Sequence, residues 1–234
     1  MRRLVVALAF LTRLPMPRAA VREGDFAEAI RLYPLAGLVI GVAAASAGWL
    51  GGRADPWLGA LAALVMWVWI TGALHLDGLG DLADGLGAAH GDRARLVAVM
   101  ADPHVGSFGV VAIVLQLAAK LVALNLIVTH DWLALVAVPA IARLGPLVWA
   151  RLVPPLKPGG LGAMIAGATR VRDLIGWGTA LAGACVVLPP LLAAPLMIAA
   201  LAWWFRRRVG GMTGDVHGAG IELLEVALLL VFAA

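Results

Sequence analysis

Apolar residues run through this chain in long blocks. They cover roughly residues 32–52, 57–75, 105–128 and 132–150, then 174–205 and 219–234. About 20 apolar residues is the length that crosses a bilayer as a helix. The block 174–205 is interrupted by Pro189-Pro190. It reads either as one tilted span or as two short helices hinged at the proline pair. Ahead of the first block, Leu4 to Leu11 follow Met1-Arg2-Arg3. No small-residue cleavage site comes next, only Thr12-Arg13-Leu14-Pro15-Met16-Pro17-Arg18, so this run reads as a short retained helix and not as a signal peptide. The pattern predicts an all-α polytopic membrane bundle forming one domain over residues 1–234. It has about six to seven transmembrane segments plus a short N-terminal helix.

The polar positions orient that bundle. Cytoplasmic loops carry the Lys and Arg excess. With the N-terminus inside, Arg2, Arg3, Arg13, Arg18, Arg22 and Arg31 are inside. A loop at 76–104 and a loop at 151–173 then return to the same side with Arg93, Arg95, Arg151, Lys157, Arg170 and Arg172. If 174–205 turns back on itself, Arg206-Arg207-Arg208 join them, and Arg53 is the only basic residue in an outer loop. That balance favours two helices over one. It also brings two polar loops, 75–109 and 210–225, to one side.

Composition narrows the class. The chain is 62% hydrophobic and only 14% charged, where soluble domains carry roughly 25% charged residues. The net charge of +4 therefore reads as a topology signal and not as a nucleic-acid footprint. A single cysteine, Cys185, excludes an intrachain disulfide and a thiolate metal cluster. The tryptophans lie mostly near segment ends, as interface anchors do.

Against this apolar background three carboxylates stand out in Asp77-Gly-Leu-Gly-Asp81-Leu-Ala-Asp84-Gly85. Ionisable groups near a bilayer are expensive and mark functional sites. Their i, i+4, i+7 spacing puts them within roughly 60° of one another on a helix. Carboxylates held that close need a cation, and oxygen-only ligands suit Mg²⁺ shared with substrate phosphates. The alternative is a solvated acidic cap. His75, just upstream, is a candidate carboxylate-orienting or phosphate-binding group, or a plain interfacial histidine.

Met100-Ala-Asp102-Pro-His104-Val-Gly106-Ser107-Phe-Gly109 adds a fourth carboxylate before a span. Its Gly- and Ser-rich entry into a helix offers free backbone N–H groups to an anion, or is a simple capped start. Lys120 and Arg143 lie within spans, where a cation needs an anionic partner; the partner is either a substrate phosphate or a structural ion pair. Thr213-Gly-Asp215 precedes Glu222 and Glu225, which lie one turn apart on the last segment. These are candidates for a second metal or for orienting a substrate.

Together the motifs resemble the cobalamin synthase family, the adenosylcobinamide-GDP ribazoletransferases. The resemblance rests on Phe10-Leu-Thr-Arg13-Leu-Pro15-Met-Pro17, Tyr33-Pro-Leu-Ala-Gly37-Leu-Val-Ile-Gly41 and His75-Leu-Asp77-Gly-Leu through Asp84-Gly85. It continues with Asp102, Gly106-Ser-Phe-Gly109, Lys120, Gly211-Met-Thr213-Gly-Asp215 and Glu222-Leu-Leu-Glu225, in that order along nearly the whole chain. One departure is Val216-His217-Gly-Ala, where the family usually has Thr-Leu-Gly-Ala. The resemblance implies a Mg²⁺-dependent enzyme of the bacterial inner membrane. It would join adenosylcobinamide-GDP to α-ribazole, or its 5′-phosphate, and release GMP. On that reading Asp77, Asp81 and Asp84 hold the metal, and Asp81, Asp84 and Asp102 carry the chemistry, with Asp102 completing the metal site or taking a proton. His75, His104, Ser107, Lys120, Arg143, Thr213, Asp215, Glu222 and Glu225 face the substrates. Oligomeric state, including a homo-oligomer, stays open.

Two rivals use similar residues. CDP-alcohol phosphotransferases also cut a pyrophosphate with Asp-Gly motifs on membrane helices. Here, though, Ala89 replaces their arginine and their second Asp pair is missing. A divalent-cation or cobalt transporter would spread its polar residues through the spans, whereas these acidic residues gather at one face.

Overall fold

The computed structural model describes residues 2–17, 22 and 24–234; Arg18, counted above among the inside charges, lies outside them. Thirteen α-helices follow one another among the described residues. They are α1 (Arg2–Leu11), α2 (Asp25–Ala29), α3 (Tyr33–Gly52), α4 (Pro56–Thr71), α5 (Leu74–Ala89), α6 (Arg93–Val99) and α7 (Ser107–Ile127). Then come α8 (Trp132–Ala142), α9 (Leu144–Leu152), α10 (Leu161–Ala166), α11 (Val171–Val187), α12 (Ala194–Trp204) and α13 (Gly214–Ala233). The only extended pairing among the described residues is one isolated bridge between Pro155 and Met212.

Five stretches are long and apolar enough to cross a membrane: Asp25–Gly52, Ser107–Ile127, Trp132–Leu152, Pro189–Val209 and Gly214–Ala233. Counting α4 with its bent continuation α5 makes six. That count is consistent with the expected six to seven; α11, with 17 residues, is one residue longer than α4 and precedes the span Pro189–Val209. The 174–205 block does break where expected. Leu188 leaves the helical region, and a short three-ten segment, Pro189–Ala193, leads into α12.

Two sequence expectations need correction. The segment 76–104 is not a loop: α5 and α6 fill most of it. Nor is 210–225, because α13 begins at Gly214, five residues before the apolar block. Gly and Asp lower the apolar signal, but tertiary packing and caps extend the helices through them. Asp92 caps α6 by accepting from Ala94 N and Arg95 N, and Thr213 caps α13 through Val216 N.

The spans share two well-defined ends. Gly48 of α3 meets Val128 just after α7, and Gly52 meets Thr129. The α3–α4 and α7–α8 turns therefore lie at one end, with Arg53. At the other end α4 stops at Gly72 (φ 61°), and Ala73 (φ 60°) follows in the same left-handed region. Two such residues in succession turn the chain through 84°. Consequently α5 does not continue the span. It runs across the bundle end, passing α13 at Asp215 and α7 at Gly109. The N-terminal helices, the 153–170 connection and Arg206–Arg208 lie at this end too, making it the basic face.

Polarity is inverted across the spans, as a lipid solvent demands. On α7, Val110, Val114, Leu115, Val122 and Leu126 are exposed, whereas Gln116 and Lys120 are buried. Small residues close the bundle. A Cβ at Gly37 would stand 2.5 Å from Pro139 O, so α3 and α8 pack nearly backbone to backbone.

Candidate active site at the basic face

Asp77, Asp81 and Asp84 do share one helix, but their environments differ. Asp77 is exposed, Asp81 half-buried and Asp84 buried. Both Asp84 oxygens accept from the start of α7: Oδ2 from Gly106 N at 2.7 Å and Oδ1 from Gly109 N at 2.9 Å. The anion site expected at Gly106–Gly109 thus exists, and the chain's own Asp84 fills it. A carboxylate at a helix N-terminus satisfies orphan N–H groups and the dipole together.

Asp215 comes to α5 from the first turn of α13. Gly78 permits this, since a Cβ there would stand 2.7 Å from Asp215 O. Asp81 registers the result. Burial, then the charges of Asp77, Asp215 and Asp84, push its carboxyl up to about 6. The open acidic cluster is therefore Asp77, Asp81 and Asp215, on two helices. Among the described residues no three His, Cys, Asp or Glu side chains converge closely enough to enclose a metal ion. The donor set nonetheless fits Mg²⁺, which commonly takes one or two protein carboxylates and fills its shell with water and phosphate oxygens. Each Asp84 oxygen already accepts an N–H of the α7 start, so Asp77, Asp81 and Asp215 are the more open carboxylates.

Four expected substrate residues turn out to hold one another. Lys120 Nζ lies 2.7 Å from Glu222 Oε2 and 2.7 Å from Glu225 Oε2, and Arg143 Nη1 lies 2.8 Å from Glu225 Oε1. Gln116 Nε2 donates to Glu222 Oε2 at 2.9 Å. Lys120 also sits 4.8 Å from the Trp67 ring centroid. All five polar side chains are buried. Two cations and two carboxylates leave the interior neutral, and their partners are each other.

A cleft of about 390 Å³ opens beside the acidic cluster, between α1, α5, α10 and α13. His75, Asp77, Thr213 and Asp215 line it, four of the residues singled out from sequence. His75 Nδ1 lies 3.3 Å from Arg143 Nη2. An arginine only donates, which assigns the ring proton to Nε2. Lys157 and His217 line the same cleft and were not singled out for chemistry. His217 is buried, 6.2 Å from Trp149 in a stacked arrangement, and both its nitrogens lack partners. Its signal was an imidazole in a run of small residues. The signal for Lys157 was a lone lysine in the Pro- and Gly-rich stretch 154–160, which charge counting absorbed into topology.

Asp102, His104 and Ser107 are exposed. Asp102 Oδ1 accepts from His104 N at 2.9 Å and pairs with its Nδ1 at 2.6 Å. These contacts, the backbone one first, hold the Asp102 carboxyl below its ordinary range. No hydrogen bond or ion pair links this turn to Asp77, Asp81 or Asp215.

Residues 3–233 match the family model described as cobalamin-5-phosphate synthase. A protein of Novosphingobium aromaticivorans named adenosylcobinamide-GDP ribazoletransferase is 56% identical, over 100% of this chain and 96% of its own. Proteins of the same name from Thiobacillus denitrificans and Laribacter hongkongensis are 52% and 49% identical, each over 99% of this chain and over 94% and 96% of their own. No solved structure matches. A match over essentially the whole length, together with relatives of this similarity, shows that the chain belongs to the cobalamin-5-phosphate synthase family.

Proposed function

We propose that the protein joins adenosylcobinamide-GDP to α-ribazole, or to α-ribazole 5′-phosphate, and releases GMP at the acidic cluster of the basic face. A ribose hydroxyl of the acceptor attacks the phosphorus that bears cobinamide. The new P–O bond forms as the bond to the GMP phosphate oxygen breaks, and the hydroxyl proton passes to the protein. The observation that carries this reading is that Asp77 and Asp215 line one cleft, while Asp81, close enough to feel both charges, is made more basic than an ordinary carboxylate by burial and by those charges.

Phosphoryl transfer asks for positioning and charge neutralisation more than for covalent help. Asp77 and Asp215 are the carboxylates that would hold Mg²⁺, which supplies positive charge for the pyrophosphate oxygens. Asp81, half-buried and within reach of both their charges, takes the hydroxyl proton, because a base works best when its pKa lies near the working pH. His75 offers its Nε2–H at the cleft wall. Thr213 donates its hydroxyl to Asp215 Oδ2 at 3.2 Å and orients that carboxylate.

The arginine excess of the basic face supports an orientation in which it faces the cytoplasm from a bacterial inner membrane. The transporter reading is weakened by the interior, where Glu222 and Glu225 are neutralised by Lys120 and Arg143. The test incubates purified protein with adenosylcobinamide-GDP, α-ribazole and Mg²⁺ and follows product by mass spectrometry. Metal-dependent adenosylcobalamin and GMP, lost in Asp81→Asn, support the assignment. Absence of product from folded wild-type protein overturns it.

A further inference from the structure

We infer that the cleft walled by His75, His217 and Lys157 is the pocket of the nucleoside acceptor, and that Lys157 recognises the acceptor's 5′-phosphate. This rests on the transfer reaction proposed above and deepens it.

Size comes first. About 390 Å³ falls in the range of small-ligand pockets, roughly 300–1,000 Å³. It suits a planar base with its ribose and not a corrin ring, so the donor's bulk must stay outside. The walls come next. Phe10 and Tyr33 stack 6.1 Å apart on one side of the cleft and offer an apolar flank to a flat heterocycle.

Polar groups without partners supply the third observation. His75 is 3% exposed and His217 is 5% exposed. His75 Nε2 and both His217 nitrogens have no hydrogen-bond partner. Leaving such groups unpaired in a protein interior is unfavourable, and these two residues line a cavity where a ligand can satisfy them. With Arg143 donating to Nδ1, His75 presents a fixed N–H donor. The ring nitrogen left free in a benzimidazole riboside is an acceptor, which matches it. A purine base carries similar acceptors.

Charge fixes the direction of the ligand. Lys157 is exposed, in the loop before Gly160, and no carboxylate stands within ion-pair distance of it among the described residues. Asp77 and Asp215 line the same cleft with charge of the opposite sign. An acceptor lying with its base between the histidines therefore has its ribose at the acidic cluster, where attack occurs, and a 5′-phosphate at Lys157.

The experiment measures steady-state kinetics with α-ribazole, α-ribazole 5′-phosphate and adenosylcobinamide-GDP varied separately. Lys157→Gln is expected to lower the kcat/KM ratio of phosphorylated over unphosphorylated acceptor about tenfold, the scale of one charge-assisted hydrogen bond. His217→Leu is expected to raise KM for both acceptors more than for the donor. A rise confined to the donor KM overturns the inference and gives the cleft to the guanosine end. An unchanged ratio in Lys157→Gln overturns the phosphate contact. Failure of the reaction itself shows separately, as no product from wild type. Calorimetric titration with α-ribazole 5′-phosphate alone then decides the pocket, with binding weakened by Lys157→Gln supporting it and no binding refuting it.

Discussion

Gly78 and Asp215 touch through backbone: a Cβ on the first would stand 2.7 Å from the carbonyl oxygen of the second. That contact sets the spacing of α5 and α13, and with it the distance between Asp77, Asp81 and Asp215. Gly78→Ala must push the helices apart by several tenths of an ångström. Activity is expected to fall at least tenfold, since sub-ångström misplacement of reacting groups is costly. Melting temperature in detergent should drop far less in proportion. Equal loss of fold and activity would refute a positioning role.

Asp81 sits among like charges, and the charge it carries is costly to the metal-free protein. Asp81→Asn removes both the repulsion and the proposed proton acceptor. Without Mg²⁺ the variant is expected to melt about 2 °C higher than wild type, a small gain for a half-exposed group in a chain of this size. Its kcat should fall by about 10²–10⁴, with the Mg²⁺ concentration for half-maximal activity unchanged. Asp77→Asn should instead raise that concentration. Activity against Mg²⁺ concentration for the two variants separates the roles.

Asp84 ties α5 to the start of α7. Asp84→Asn keeps one acceptor and loses the charge at the α7 N-terminus, a change of about 1–2 kcal/mol. Thermal unfolding should report that loss while the Mg²⁺ response stays as in wild type. A raised metal requirement would return Asp84 to the metal set.

Lys120, Arg143, Glu222 and Glu225 make a sharper case. Glu225→Ala leaves two buried cations sharing one carboxylate, and breaking such a pair costs about 3–5 kcal/mol. Loss of folded yield after detergent extraction is expected. Were Lys120 a phosphate ligand, Lys120→Met would instead yield a well-folded protein that binds substrate poorly.

Much of this was legible in the residues. Apolar blocks marked most spans, and the i, i+4, i+7 spacing placed three aspartates on one face of what is indeed α5. The roles of those aspartates were not legible, because each depends on what packs over it. Asp84 finds its partners 22 and 25 positions away, in another helix. Lys120 finds its carboxylates 102 and 105 positions away. Chain periodicity reports which residues share a helix face and is silent on which face meets which. Lys157 was hidden for the opposite reason: its loop has no periodicity, and only the fold of 154–156 against Met212 carries it to the cleft.

The ion network also governs how the chain is built. Lys120 lies on α7 and Arg143 on the α8–α9 turn, but their carboxylates lie on α13. During synthesis both cations are made before the carboxylates that pair with them in the fold, and an unpaired cation at mid-membrane costs about 2.5–3.5 kcal/mol to insert. The intermediate must hold them near the translocon or at the interface until the final helix arrives. Assembly is thus locked from the C-terminal side: α13 brings Asp215 to the acidic rim and, in the same movement, completes the pairing that lets α7 and α8 settle.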